Sequence, residues 1–279
     1  MKKILFLLVY YSGLARLFAW LHRKQVLILC YHGVTKRESR GDNDAFGLHI
    51  RQDRFCAQIE YLLRNYRVIS LKDYLIARRE NRSLPDYSVV LTFDDGFRNF
   101  KTVAAPLLCE KNIPVSIFLI TDRIRQNNDL SLPTNWVSED DNEYLFWEDV
   151  RQLSNEKTIQ FGSHTCSHRN LATLSLEEVD AELLDSRSML NTYIPQPEMM
   201  FAYPYGGYSE EIAKRAHTAK YACALTADDG FNDETTDLYK LRRALIGDDD
   251  DLPNFAVRIS GFACRMRSLR NLFLGRHPR

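Results

Sequence analysis

Short apolar runs alternate along this chain with stretches of helical periodicity, and that alternation limits the fold more than any other feature. The runs Val26–Tyr31, Arg67–Ser70, Ser88–Phe93, Val115–Ile120, Thr158–Phe161, Met199–Tyr203, Tyr221–Leu225 and Tyr239–Ile246 have the length and residue types of buried strands. Helical signals stand between them. Arg54–Leu63 places Phe55, Ile59, Leu62 and Leu63 on one face. Ser175 and Glu178 form a capping box that opens a helix through about Leu190. Ser209–Ala219 and Pro253–Met266 read as two more. Parallel strands need crossover connections, and helices supply them. The expectation is an α/β fold, a (β/α) barrel in a single domain, with a hydrophobic content of 45% to fill its core.

In such barrels the chemistry gathers at the carboxyl ends of the strands. Thr92-Phe93-Asp94-Asp95-Gly96 closes one strand-like run. Adjacent strand residues point to opposite sides, so one carboxylate there can hold a cation while the other handles a proton. His164-Thr165-Cys166-Ser167-His168 closes another run. One Asp with two His makes a three-ligand set with a position left open, the pattern of a hydrolytic metal site. Phe201-Ala202-Tyr203-Pro204-Tyr205-Gly206 closes a third. Each motif alone is weak. Asp-Asp-Gly also makes an ordinary turn, as Asp228-Asp229-Gly230 is expected to do, and an isolated histidine at a strand end is usually a hydrogen-bonded structural group.

Together, in this order and spacing, the three motifs resemble the polysaccharide deacetylase family, also called the NodB-homology or carbohydrate esterase 4 family, over about residues 26–260. The resemblance implies a distorted (β/α)7-type barrel and a metal-dependent carbohydrate N-deacetylase. It implies that Asp95, His164 and His168 bind a divalent metal. The mixed nitrogen and oxygen set suits Zn²⁺, with Co²⁺, Ni²⁺ or Fe²⁺ also compatible. Asp94 takes the place of the family's general base. Tyr205 takes the place of the residue whose backbone N–H faces the oxyanion. Thr165 and Ser167 are candidate supporting donors, and Cys166 is left off the metal.

Two departures stand out. Many members carry Arg-Pro-Pro-Tyr-Gly, where the arginine pairs with the base; this chain has Ala202-Tyr203-Pro204-Tyr205-Gly206. Arg242 or Arg243 must then serve, and alternation lets only one point inward; Arg243 is the choice. The late Leu-x-His motif that supplies the general acid is also missing. Cys30-Tyr31-His32-Gly33-Val34 instead matches the Tyr-His-x-Val motif of the exopolysaccharide deacetylases that act on poly-N-acetylglucosamine, and this makes His32 the expected acid. The implied substrate is an N-acetylated glycan. The alternatives are deacylation or deformylation of a membrane-linked amino sugar and, from another class, a catalytically degenerate glycan-binding domain.

The formal net charge is zero, which gives no global pull toward nucleic acid. The six cysteines are scattered with no CxxC pair. A disulfide framework is not expected, which mildly favours a reducing compartment. Residues 1–24 form an apolar N-terminal helix, 25–262 the deacetylase-like domain and 263–279 a basic tail. The uncharged run from Ile4 to Ala15 is shorter than the roughly 20 residues that span a bilayer. An interfacial helix, a cleaved signal and a plain packed helix all fit, and the interfacial helix leads because His22-Arg23-Lys24 closes it. The expected location is a membrane surface, on the cytoplasmic face before a secreted or envelope setting. The polar segment Asp122–Tyr144 is read as a surface insertion facing substrate.

Overall fold

The structure, a computed structural model, describes residues 2–36, 47–126 and 143–266. Strands β1 (Val26–Tyr31), β2 (Ser88–Phe93), β3 (Val115–Leu119), β4 (Ile159–Ser163), β5 (Met199–Ala202) and β6 (Tyr221–Leu225) lie side by side and parallel, in chain order. The outer edge of β1 takes two short partners. Phe231–Asn232 pairs antiparallel with its amino half, and β7 (Ala244–Leu245) pairs parallel with its carboxyl half. The seven-strand sheet curls but does not fully close, because among the described residues only a single bridge, Leu225 to Leu241, links β6 toward β7. The expected α/β barrel is therefore an open, distorted one.

Helices α1 (Lys2–Tyr11), α2 (Leu14–Leu21), α3 (Gln52–Asn65), α4 (Leu71–Arg79), α5 (Ala105–Glu110), α6 (Trp147–Ser154), α7 (Leu176–Tyr193), α8 (Glu210–Thr218) and α9 (Leu252–Ile259) accompany the sheet. The α7 capping box forms as expected, with Ser175 Oγ accepting from Glu178 N–H and the Glu178 carboxylate accepting from Ser175 N–H. Strand alternation divides the core. Leu27, Leu29, Tyr31, Leu91 and Phe93 pack under helices that include α3 and α9. Val26, Ile28, Val90, Phe118, Met200 and Cys223 face the other way, into the curl, where α4 adds Leu71 and Tyr74.

Several expected elements differ in extent. The run Arg67–Ser70 is a strand only over Arg67–Val68; Ile69 N–H still donates to the Val89 carbonyl at 2.9 Å, and Ser70 turns to cap α4 by accepting from Asp73 N–H. Tyr239–Ile246 is not one strand. At Arg242 the Asn232 carboxamide substitutes for a neighbouring strand, accepting from its N–H and donating to its C=O, both at 2.9 Å. On α3 it is Gln58, not Leu63, that turns inward; Leu63 is exposed. The Pro253–Met266 helix breaks at Gly261, where φ is 86° and a Cβ would lie 2.6 Å from His22. The single N-terminal helix is a pair, bent by 76° at Gly13, whose φ of 78° no helix continues through. Helices α4, α5 and α6 were not expected. Most of the Asp122–Tyr144 insertion and of the basic tail lies outside the described residues.

Candidate active site

The inward parity of the strands carries through to their carboxyl ends. Cys30 and His32 continue the row of Val26 and Ile28; Thr92 and Asp94 continue that of Val90. His164 follows Gly162, whose bare Cα faces the Phe118 ring so closely that a Cβ would lie 2.5 Å from it. The polar ends of three strands thus converge above one hydrophobic interior.

Asp94 is buried, at 3% exposure, and Arg243 grips it with two parallel bonds of 2.7 Å, Nη1 to Oδ1 and Nη2 to Oδ2. Burial works to raise this carboxyl, but the Arg243 charge and hydrogen bonds outweigh it and hold Asp94 well below the usual carboxylate range. Arg243 is itself fixed by donating from Nε to the Thr226 carbonyl at 2.8 Å. Its neighbour Arg242 is exposed. The Cys30 thiol donates to Asp94 Oδ2 at 3.3 Å.

Asp95 does not point away, as an extended neighbour would. Its φ of 72° swings the side chain back toward the histidines. Asp95 Oδ1 lies 3.5 Å from His164 Nε2 and 3.4 Å from His168 Nε2, and the two Nε2 atoms are 3.3 Å apart. Burial, reinforced by the Asp94 charge, pushes Asp95 up to about 7. Burial also lowers His164 to about 3 and depresses His168, so both imidazoles stand neutral. His164 Nδ1–H donates to the Ala202 carbonyl at 2.8 Å, which leaves Nε2 as a bare lone pair aimed at the cluster. Among the described residues the buried Asp95 Oδ1 has no hydrogen-bond partner. Two nitrogen lone pairs and an orphaned carboxylate oxygen crowd one point, and a divalent cation is what such a donor set fits.

The turn bearing His168 is strained, with positive φ at both Thr165 and His168. Glu182, a buried carboxylate on α7, holds it. Its Oε2 accepts from Cys166 N–H at 2.8 Å and Ser167 N–H at 3.0 Å, and its Oε1 accepts from the Ser167 hydroxyl. Thr165 Oγ1 accepts from His168 N–H at 3.0 Å. Ser167 therefore acts on the turn through Glu182. The Cys166 sulfur faces the Glu182 carbonyl at 3.8 Å and is not in the Asp95 cluster.

Tyr205 occupies the left-handed region, φ 57°, and is 68% exposed. Its ring rests on His168, 4.7 Å between centroids. Among the described residues its backbone N–H has no acceptor. His32 is 9% exposed and lowered by burial to about 4. The structure thus brings all seven sequence-derived site residues to one end of the sheet. Sequence reasoning missed Cys30 and Glu182 as neighbours of the site. For Glu182 a signal existed: Val179, Leu183, Ser186 and Leu190 mark the buried face of α7, and Glu182 is the acid set within that face.

Residues 81–224 match the Polysaccharide deacetylase family. The poly-β-1,6-N-acetyl-D-glucosamine N-deacetylase of Staphylococcus epidermidis is 23% identical over 238 residues, 81% of this chain and 81% of that protein. Among solved structures, IcaB from Ammonifex degensii superposes with a TM-score of 0.70 at 21% identity, over 85% of this chain and 97% of the other. The Streptococcus pyogenes deacetylase PplD, solved with acetate, superposes with a TM-score of 0.69 at 23% identity, over 83% and 96%. These two likenesses are likenesses of fold. The matched stretch itself contains Asp94, Asp95, His164, His168 and Tyr205, and with the curled sheet and the cation-fitting cluster above it, the chain belongs to the polysaccharide deacetylase family and has the fold and active-site chemistry of its metal-dependent hydrolases.

Proposed function

We propose that this protein hydrolyses the N-acetyl group from N-acetylhexosamine residues of a polysaccharide, releasing acetate and leaving a free amine. One observation carries the reading: the Asp95–His164–His168 cluster sits directly beside an Asp94 carboxylate that Arg243 keeps ionised. The Staphylococcus epidermidis relative, named for N-deacetylation of a β-1,6-linked N-acetylglucosamine polymer, supports the substrate class.

Asp95, His164 and His168 would hold a divalent ion, Zn²⁺ before Co²⁺, Ni²⁺ or Fe²⁺, which when bound would lower the pKa of water and polarise the amide carbonyl. Asp94 accepts the proton of the attacking water, and Arg243 fixes the direction of its lone pairs. The Tyr205 N–H donates to the oxyanion that forms at the carbonyl. His32 starts neutral, so the proton it delivers to the leaving nitrogen is the one Asp94 has collected; the two groups lie within 4.8 Å of each other. This relay makes a low resting pKa at His32 compatible with its role as acid.

The exposed apolar face of α1 and α2 supports attachment to a membrane surface. It also favours one second reading, in which the substrate is a membrane-linked amino sugar. Residues 25–262 then form the catalytic unit, with 1–24 as its attachment and 263–279 as a basic extension. The test is acetate release from N-acetylated β-1,6-glucosamine oligomers by protein stripped with a chelator and reloaded with Zn²⁺. Acetate should appear only after reloading. Release from a lipid-linked substrate alone would establish the second reading, and metal-loaded protein inert on every N-acetylated glycan would leave a binding domain.

A further inference from the structure

A second set of donors lies against the first. The ligand atoms of Cys30, His32 and Asp94 all fall within 4.8 Å of one another, and this set contains a sulfur where the Asp95 cluster has none. Cys30 is 3% exposed. Among the described residues the buried Nδ1 atom of His32 has no hydrogen-bond partner, an observation independent of the donor spacing. We propose that Cys30, His32 and Asp94 form a second cation site, selective for thiophilic divalent ions such as Zn²⁺ or Cd²⁺, and that filling it stops the reaction.

One edge of the set already has the spacing such an ion needs, and the other separations, within 4.8 Å, close on binding. Tetrahedral bonds of about 2.0–2.3 Å place neighbouring ligand atoms roughly 3.3–3.8 Å apart, and the Cys30 sulfur already stands 3.3 Å from Asp94 Oδ2. On binding, the S–H bond breaks, a sulfur–metal bond forms and the proton passes to solvent. Asp94 and His32 each give a lone pair, and water completes the set.

The site is weaker than its neighbour for two reasons. Arg243 remains bonded to both Asp94 oxygens and repels a cation, and burial keeps the Cys30 thiol protonated. Filling is therefore an event of ion excess, after Asp95, His164 and His168 are satisfied. The loss of turnover rests on the roles proposed above, since an ion there engages both the proton acceptor and the group that returns the proton. The binding itself does not depend on those roles.

The experiment uses the full chain loaded with one ion and titrated with Cd²⁺, following the ultraviolet thiolate-to-Cd²⁺ charge-transfer band and acetate release together. In the wild type a band should grow with one further equivalent, and turnover should fall by about 10²-fold or more, the usual worth of acid–base catalysis. Cys30→Ser should keep the first ion, show no band, and lose under about twofold of its own starting rate, against that 10²-fold. Cys166→Ser, which removes a partly accessible thiol near the histidines, should still show both effects. A wild type without the band, or a band that survives Cys30→Ser, overturns the site. A band lost in Cys30→Ser without any effect of Cd²⁺ on wild-type turnover keeps the site but overturns both the inhibition and the assigned roles of Asp94 and His32.

Discussion

Asp94 and Asp95 are chain neighbours with opposite electrostatic fates. One is clamped by a buried guanidinium; the other is orphaned beside two neutral imidazoles. Asp94→Asn should therefore abolish acetate release while the ion stays bound, because an amide accepts no proton. Asp95→Asn should lose the ion, as measured by metal content of the folded protein. The reverse pattern would mean the roles are exchanged. Arg243→Lys keeps a positive charge but breaks the two-bond fork. Asp94 must be ionised to act, and its low pKa places the acid limb of kcat/KM far down; loosening the fork raises that pKa, so the limb should move to higher pH. An unmoved limb would mean that Arg243 does not set it. His32→Ala should lower turnover by about 10²-fold or more with metal content unchanged, while His277→Ala, at the only histidine after the run Tyr239–Ile246, should change nothing.

The inward parity that brings Cys30, His32, Asp94 and His164 together is legible in the sequence, because strand alternation is fixed by geometry. Alternation allows only one of Arg242 and Arg243 to face inward and does not say which; the structure puts Arg243 on Asp94 and leaves Arg242 exposed. The positive φ of Asp95, Thr165, His168 and Tyr205 is not legible in the sequence. None is glycine, so nothing in their identity announces the left-handed backbone on which the cluster depends.

Among the elements, α7 bears most directly on the site. Glu182 reaches the turn between the two histidines through three hydrogen bonds and has no direct contact with the Asp95 cluster. Glu182→Gln keeps the size and loses the charge and part of the acceptor set. The expected result is an affinity for Zn²⁺ lower by about 10–100-fold, the usual worth of an outer-shell partner, measured by competition with a chelator, with the helical content unchanged. Unaltered affinity would confine Glu182 to a structural role in the turn. The helix itself was readable from Ser175 and Glu178, because a capping box is a local signal. The last strand was not readable, because its incompleteness depends on Asn232, whose carboxamide meets Arg242 only in the fold.

The molecule as a whole carries an unbalanced surface. Ile4, Leu5, Leu8, Leu17, Trp20 and Leu21 of the helix pair are all more than 45% exposed, while Phe6, Val9 and Ala15 pack on Val257 and Phe262. No acidic residue precedes Glu38, and none follows Asp251. Apolar area on a segment whose sequence also carries Lys2, Lys3, Arg16 and Lys24 suits an anionic bilayer surface, where each basic residue contributes about 1 kcal/mol and salt weakens it. The intact protein should sediment with anionic vesicles, and Leu8→Glu with Leu17→Glu should shift it to the supernatant. High salt should release the wild type in part. Equal sedimentation of both proteins would defeat the membrane reading. The bend at Gly13 then gains a meaning beyond local backbone. A single rod floating on a surface is free to roll about its long axis, and whatever it carries turns with it. Two rods joined at 76° share no common axis, so rolling either one lifts the other from the surface, and the catalytic mouth would be held at one fixed attitude to the plane beneath it.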